Sequence, residues 1–462
     1  MDLKDTTWQE RYHAPLVFTL RCRLEDRPGM LGVLTTALGE CGAHVGDISI
    51  VGVDALHKVR DVTVYCADQR HLESILDRLG QLAGVEVAAV TDNVLEIHRR
   101  GAIEVRSRVP INALNDLRMV YTPGVAWVCQ KIEAEPSAGW HLTGLCDRVA
   151  IVTNGTAVLG LGDIGVLASL PVMEGKAAIF AEFAHVSAFP ILVESHDSDA
   201  VVETVKRIAG SFGAIQLEDI AAPACFEIEQ RLRDALDIPV FHDDQHGTAT
   251  VLLAALINAL KMTGRNPERC SALILGAGAA GYAIAKILLT YGIGDIVVYD
   301  SAGAIHADRT KGMNPYKHEL ARLTNKRGEK GTLAEGFRGK DIFIGVARPN
   351  MVTAEMVRSM AKDPLVFPLS NPVGEIAVQD ARGAGAAVAA DGRTINNALA
   401  YPGLFRGALD ARAGDITAEM QLAAAHVLAG LAPSEQLLPD MLDRAVHRQV
   451  AAAVAKAWRV SV

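Results

Sequence analysis

Ser271-Ala272-Leu273-Ile274-Leu275-Gly276-Ala277-Gly278-Ala279-Ala280-Gly281 decides the architecture of this chain. Its first five residues read as a buried strand, the glycine-rich stretch as a tight turn, and the run to Tyr291 as the helix that the turn opens. Ile296-Val297-Val298-Tyr299-Asp300 supplies the next strand and ends it in an acid. A GxGxxG pattern is weak alone, but between a strand and a helix, with an acid closing the following strand, it marks a dinucleotide site. Gly276 permits the turn, Gly278 lets the backbone between Ala277 and Ala280 approach a pyrophosphate, and Gly281 lets the helix lie close on the sheet. The helix N-terminus adds N–H donors and the positive end of its dipole. Asp300 is placed to accept from ribose hydroxyls, and residues 301–305 hold no lysine or arginine for a 2′-phosphate. NAD is therefore expected, with NADP as the alternative. Glycines serving a turn alone are the plainer explanation, and the acid-terminated second strand weighs against it.

Upstream, two more strand-like runs end in acids. Gly213-Ala214-Ile215-Gln216-Leu217 leads into Glu218-Asp219, and Ile238-Pro239-Val240-Phe241 leads into His242-Asp243-Asp244-Gln245-His246-Gly247-Thr248. Ligands of a parallel α/β sheet bind at the carboxyl ends of its strands, so both acid pairs are expected at one crevice. An oxygen-rich site of this kind suits Mg²⁺ or Mn²⁺. His242 and His246 also invite zinc, but the adjoining carboxylates favour the harder ion. A duller role for Asp243 and Asp244 is to cap a helix starting near Gly247.

A chain of 462 residues is too long for one core, and its alternating runs predict a soluble α/β protein of several domains. The net charge of −9 is dispersed without a basic patch, which argues against a nucleic-acid partner. The apolar stretch 251–260 contains Asn258 and is too short for a bilayer. No basic-then-apolar leader is present. Seven cysteines without a CxxC pair read as reduced, mostly buried thiols. A cytoplasmic protein with no membrane partner is expected.

Residues 16–91 read strand, helix, strand, strand, helix, strand. The strands are expected at 17–22, 45–53, 59–66 and 85–90, and the helices at 30–41 and 71–82, where Leu72, Ile75, Leu76 and Leu79 keep helical spacing. This segment resembles the ACT domain, a small βαββαβ regulatory module, and Asp26-Arg27-Pro28-Gly29-Met30-Leu31 matches its strand-to-helix turn. The resemblance implies contact with a small effector, often an amino acid, between paired domains; pairing without an effector is the bland alternative. Residues 92–112 read as a connector with a short hairpin turning at Gly101. The expected domains are 1–91, ACT-like; 92–262, carrying the acids; and 263–462, a Rossmann-type doubly wound dinucleotide-binding domain with C-terminal helices. The polar stretch 324–340 reads as a solvated loop or exposed helix.

Further motifs, taken in order, resemble the malic enzyme family of the bacterial type. Leu117-Arg118-Met119-Val120-Tyr121-Thr122-Pro123-Gly124-Val125-Ala126 is similar to the family's tyrosine segment. Asn154-Gly155-Thr156-Ala157, continuing to Gly165, and Pro171-Val172-Met173-Glu174-Gly175-Lys176 are similar to its lysine segment. The two acid pairs, Ser370-Asn371-Pro372, and Asn396-Asn397 before Pro402-Gly403 complete a match running from about residue 95 to the C-terminus.

That resemblance implies oxidative decarboxylation of (S)-malate to pyruvate and CO₂ with reduction of NAD. It makes Lys176 the general base that takes the C2 hydroxyl proton, for which a lysine normally titrating near 10.4 must be depressed by burial or by a nearby cation. Glu218, Asp219 and Asp244 become the ligands of a Lewis-acid metal, with Asp243 beside them as a partner of Lys176. Tyr121 becomes the acid that protonates C3 of the enol, and Asn371 and Asn397 contact substrate and cofactor. On residue type alone, Tyr121 would be a core tyrosine and Lys176 a surface charge. Ala157 stands where animal members carry arginine, so the distal carboxylate of malate must be held differently. Gly374 and Arg348-Pro349-Asn350 also depart from the usual pattern near the cofactor. The family is oligomeric, so a dimer or tetramer is expected. The rivals are a malolactic enzyme, which releases lactate and keeps its cofactor, and a non-catalytic sensor of dinucleotide and amino acid.

Overall fold

The structure, a computed structural model, describes residues 16–371 and 373–461. The chain divides into two compact units, Met1–Glu104 and Val105–Val462.

In the first unit, β1 (Leu16–Glu25), α1 (Met30–Glu40), β2 (His44–Val53), β3 (His57–Cys66), α2 (Gln69–Gly80) and β4 (Val85–Asp92) follow the expected order. The strands form an antiparallel sheet in the order β2-β3-β1-β4. Alternation puts Phe18, Leu20, Cys22 and Leu24 on one face, where Leu34 and Leu38 of α1 and Leu72, Ile75 and Leu79 of α2 cover them. Asp68 caps α2 by accepting from the His71 N–H at 2.8 Å.

The hairpin expected around Gly101 does not form. Asp92 instead caps a short helix, α3 (Asn93–His98), through the Leu95 N–H at 3.0 Å, and Thr19 Oγ1 donates to Asn93 Oδ1 at 2.9 Å. The chain still turns at Arg100 and Gly101, with φ of 75° and 85°. An aspartate at the strand end, offering its carboxylate to a following N–H, outweighed the weak alternation beyond it.

The second unit begins with α4 (Leu114–Val120) and α5 (Val125–Ala134). A parallel sheet follows, in the order β6-β5-β7-β8, from β5 (Arg148–Thr153), β6 (Ser187–Leu192), β7 (Ala214–Leu217) and β8 (Val240–His242). Between and after these run α6 (Val166–Ala184), α7 (Ser198–Ile208), α8 (Ala224–Ala235) and α9 (Asp243–Met262). The apolar stretch 251–260 is the wholly buried part of α9, and Asn258 is satisfied there by donating to the carbonyls of Ala429 and Leu437 at 2.8 and 3.0 Å. Among the described residues no helix is long and apolar enough to cross a membrane.

The dinucleotide region holds β9 (Ser271–Leu275), α10 (Ala279–Tyr291), β10 (Asp295–Asp300), β11 (Gly303–Ala304), α11 (Pro315–Leu323), β12 (Ile342–Gly345), β13 (Leu365–Pro368) and β14 (Val388–Ala389). Its sheet runs β11-β10-β9-β12-β13-β14. This is the Rossmann order 3-2-1-4-5-6 with the short third strand reversed, since β11 pairs antiparallel to β10 and the others pair in parallel. α12 (Tyr401–Ala411), α13 (Ala418–Leu431) and α14 (Arg444–Ser461) complete the unit. The stretch 324–340 is more anchored than its polarity predicts: buried Asn325 donates to the carbonyls of Ile305 and Glu329, and buried Lys340 pairs with Glu329 at 2.6 Å.

Candidate active site

Strand β7 is buried along its length, and Glu218 continues its ladder by donating from N–H to the Val152 carbonyl at 2.9 Å. Asp219 then turns the chain with φ of 53°, a region aspartate tolerates better than most residues. Its N–H donates to Asp244 Oδ2 at 2.8 Å, and its carbonyl accepts from Ala157 in the glycine-rich loop after β5 at 3.0 Å. On the neighbouring strand the helix starts at Asp243 rather than near Gly247, so Asp243 and Asp244 occupy the first turn of α9 and do not cap it. Their negative charge there complements the helix dipole.

One carboxylate oxygen from each of Glu218, Asp219 and Asp244 lies within 4.8 Å of the others. Burial, reinforced by Asp244, pushes the Asp219 carboxyl up to about 7. Glu218 is pushed well above the carboxylate range by burial and the neighbouring acids, against the pull of Lys176. Asp219 Oδ2 is buried without a hydrogen-bond partner. Crowded, dehydrated carboxylates with an unsatisfied oxygen fit a hard divalent cation. The zinc alternative for the two histidines is not supported: among the described residues the ligand cluster contains neither, and His246 Nε2 is engaged by Glu229 at 3.0 Å.

Asp243 faces elsewhere. Lys176 on α6 is only 9% exposed; its Nζ donates to Asp243 Oδ2, lies 3.0 Å from Glu218 Oε1, and sits 4.5 Å from the centre of the Tyr401 ring. A Cβ at Gly247 would collide with the Asp243 carboxylate, so the glycine one turn along α9 makes this pairing possible. Burial pulls the Lys176 ammonium down, but Asp243, Glu218, Tyr401 and Asp244 outweigh it and hold the ammonium well above its ordinary range. The expectation of a depressed lysine is thus reversed in the protein alone, because three carboxylates face one buried cation. Tyr401 escaped notice in the sequence. It stands at the start of α12, donates from its hydroxyl to the Lys176 carbonyl at 3.3 Å, and packs edge-on to Phe180. Only its closeness to Asn396-Asn397 could have flagged it.

The strand order of the dinucleotide sheet reverses between β9 and β12, where an α/β crevice takes its ligand. Gly276 (φ 119°) turns there against the Val346 carbonyl, which a Cβ would strike. Gly278 precedes α10 and a Cβ there would meet nothing within 4 Å, so the helix N-terminus is open at that point, whereas buried Gly281 packs against the Gly276 carbonyl, which a Cβ would strike.

Asp300 is differently placed from its expected role. Arg309 Nη2 donates to both of its oxygens and Lys317 Nζ to Oδ2, each at 2.7 Å, while the Ala302 N–H reaches Oδ1 at 2.8 Å. No acceptor position is left for ribose. Residues 301–305 indeed lack a cation, but the fold delivers two from farther along the chain. Burial would raise this carboxyl, and Arg309 and Lys317 hold it below the usual range. Asp300→Asn is expected to cost about 3 kcal/mol in urea unfolding, the low end for breaking a buried ion pair, since Lys317 can turn to water. It is also expected to raise affinity for NADP relative to NAD, because Arg309 and Lys317 lose their anion. Calorimetric titration with both dinucleotides checks this, and an unchanged ratio overturns it.

Asn397 lies beside the acid helix, its Cβ 3.3 Å from where a Cβ of Gly247 would be. Asn371 is exposed with its carbonyl against Gly160; Pro372 of that motif is outside the described residues. Tyr121, at the end of α4, is 68% exposed, and no hydrogen bond joins its phenol to Lys176 or the acids. Of the expected residues, then, the fold gathers Lys176, Glu218, Asp219, Asp243, Asp244 and Asn397, and leaves Tyr121 outside the cluster.

A Rossmann-ordered sheet and a buried lysine set among carboxylates define a metal-assisted, dinucleotide-dependent oxidoreductase. Family models described as "Malic enzyme, N-terminal domain" and "Malic enzyme, NAD binding domain" match residues 100–199 with 194–233, and 245–459, respectively. The chain is 44% identical over 454 residues to an NAD-dependent malic enzyme of Geobacillus stearothermophilus, covering 96% of this chain and 95% of that one. It is 48% identical over 381 residues to a bifunctional malic/malolactic enzyme of Bacillus subtilis, covering 80% and 93%. The solved NAD-dependent malic enzyme of Thermotoga maritima superposes with a TM-score of 0.76 at 41% identity, over 79% of this chain and 99% of that one. The chain belongs to the malic enzyme family.

Proposed function

We propose that this protein oxidatively decarboxylates (S)-malate to pyruvate and CO₂ with reduction of NAD. The observation that carries this is the buried Lys176, held by Asp243 on one side and by Glu218 of the three-acid cage on the other. Glu218, Asp219 and Asp244 would hold a divalent cation, Mg²⁺ or Mn²⁺. When bound, the ion would stabilise negative charge on malate as a Lewis acid, and NAD would supply the hydride acceptor. A cation on Glu218 and Asp244 would offset two of the carboxylates that hold Lys176 charged, and Nζ, as the free amine, removes the C2 hydroxyl proton. Asp243 orients that Nζ and steadies the ammonium it becomes. The glycine turn 276–281 and the α10 N-terminus hold the pyrophosphate. Tyr121 returns a proton to C3, and the amides of Asn371 and Asn397 donate to malate carboxylates without adding a full charge beside the cation.

Three functional domains underlie this activity: 1–91, 92–262 and 263–462. The first is an ACT-type module taking a small effector at the turn before α1, where Gly29 has φ of 90°. The protein works as a cytoplasmic homo-oligomer, dimer or tetramer, which the exposed apolar side chains of Leu114, Met119 and Trp127 along α4 and α5 support. Incubation with malate, Mn²⁺ and either NAD or NADP tests the reaction. Pyruvate and NADH in equal amounts are expected. Lactate without free NADH would replace this reaction by the malolactic one, which the B. subtilis relative's name brings into view, and no turnover would leave a sensor.

A further inference from the structure

We infer that Glu229 is a positioning residue of the metal site, which acts through Gln245 and His242 to fix the orientation of Asp244. Glu229 lies on α8, not on either acid-bearing strand end, and is 6% exposed. Its Oε1 accepts from the His242 N–H at 2.9 Å, and its Oε2 accepts from Gln245 Nε2 at 3.0 Å and from His246 Nε2 at 3.0 Å. One carboxylate thus grips the chain on both sides of Asp243-Asp244.

That grip sets which way the Gln245 amide faces. A carboxylate only accepts, so Gln245 must turn its NH₂ toward Glu229. The same nitrogen lies 3.0 Å from His242 Nδ1, and its second N–H points there. A donor facing Nδ1 favours the ring proton on Nε2. Nε2 lies 3.1 Å from Asp244 Oδ2, an ion-pair contact without hydrogen-bond geometry. Oδ2 accepts from the Asp219 N–H at 2.8 Å. The Asp219 N–H bonds this oxygen and the His242 ring lies against it, so both bear on how the Asp244 carboxylate is turned. Had the Gln245 amide been reversed, its oxygen would face the Glu229 carboxylate and would place the His242 proton on Nδ1. A ring proton drawn to Nδ1 would weaken the contact between Nε2 and Asp244 Oδ2 that helps to hold that carboxylate. Outer partners that fix a ligand in this way are worth about 10–100-fold in metal affinity.

The inference rests on the proposed divalent site at Glu218, Asp219 and Asp244, and Mn²⁺ binding, read by electron paramagnetic resonance on the full chain, tests the two separately. Glu229→Gln keeps the shape but lets the new amide present either end, so the Gln245 orientation is no longer dictated. Its Mn²⁺ affinity is expected to fall about 10–100-fold, while the dissociation constant for NAD, measured on the same sample, stays at the wild-type value. Gln245→Leu, which cuts the relay one step later, is expected to give the same pattern and carries the test should Glu229→Gln fold poorly. Glu227→Gln, an exposed neighbour on α8, is expected to bind Mn²⁺ as the wild type does. Wild-type Mn²⁺ affinity in both relay variants overturns the inference and leaves the metal site standing, as does a fall in NAD affinity matching that for Mn²⁺, which marks general loosening. No Mn²⁺ binding by the wild type overturns the metal site and the inference together.

Discussion

Lys176→Ala is expected to lower malate oxidation by about 10²–10⁴-fold, the range of a positioned general base, while the protein still binds Mn²⁺. The side chain supplies no metal ligand, so its loss leaves Glu218, Asp219 and Asp244 in place. It does remove the cation that Asp243 and Glu218 share inside the protein. Breaking a buried ion pair by removing one partner costs about 3–5 kcal/mol. The metal-free variant should therefore melt well below the wild type. Mn²⁺ should recover more stability in the variant than in the wild type, because the bound charge then compensates two orphaned carboxylates. Steady-state NADH formation and thermal melts with and without Mn²⁺ check this. Turnover close to the wild-type rate would remove Lys176 from the chemistry.

Tyr121→Phe should also slow the steady state by about 10²–10⁴-fold, but at a different step and with little change in stability. The phenol is exposed and bonded to nothing among the described residues, so deleting its oxygen should stay within about 0.5 kcal/mol, as for surface substitutions away from special features. If Tyr121 protonates C3 after hydride has left and CO₂ has gone, the variant still forms NADH in its first turnover. Rapid mixing should then show a burst of NADH followed by slow turnover, whereas Lys176→Ala shows no burst. An unchanged steady state would take Tyr121 out of the reaction.

These contrasts trace how far the chain could be read before its fold was known. Acids and glycines at the ends of apolar runs are local signals, and the strands at 214–217, 240–242, 271–275 and 295–300 end within one residue of where they indicated. The misjudged hairpin at Gly101 shows the limit even locally, since one capping aspartate, Asp92, settled a helix against weak alternation. Asp300 is subtler. Its strand-end position was legible, but Arg309 and Lys317, which take its acceptor positions, come from beyond any window a motif covers.

By itself, the sequence determined the element order, the acidic strand ends, the dinucleotide turn and the family, because hydrophobic periodicity and turn chemistry act over a few residues. The tertiary structure alone decided which charges share a dehydrated space. It turned Asp243 to Lys176 while Asp244 joined Glu218 and Asp219, set Lys176 over Tyr401, and brought Glu229 from α8 to hold both ends of the acid turn. The physical reason is burial. Removed from water, neighbouring charges interact strongly and are weakly screened, so the direction of the Lys176 and Asp219 shifts depends on which groups the fold makes neighbours, and spacing along the chain does not encode that.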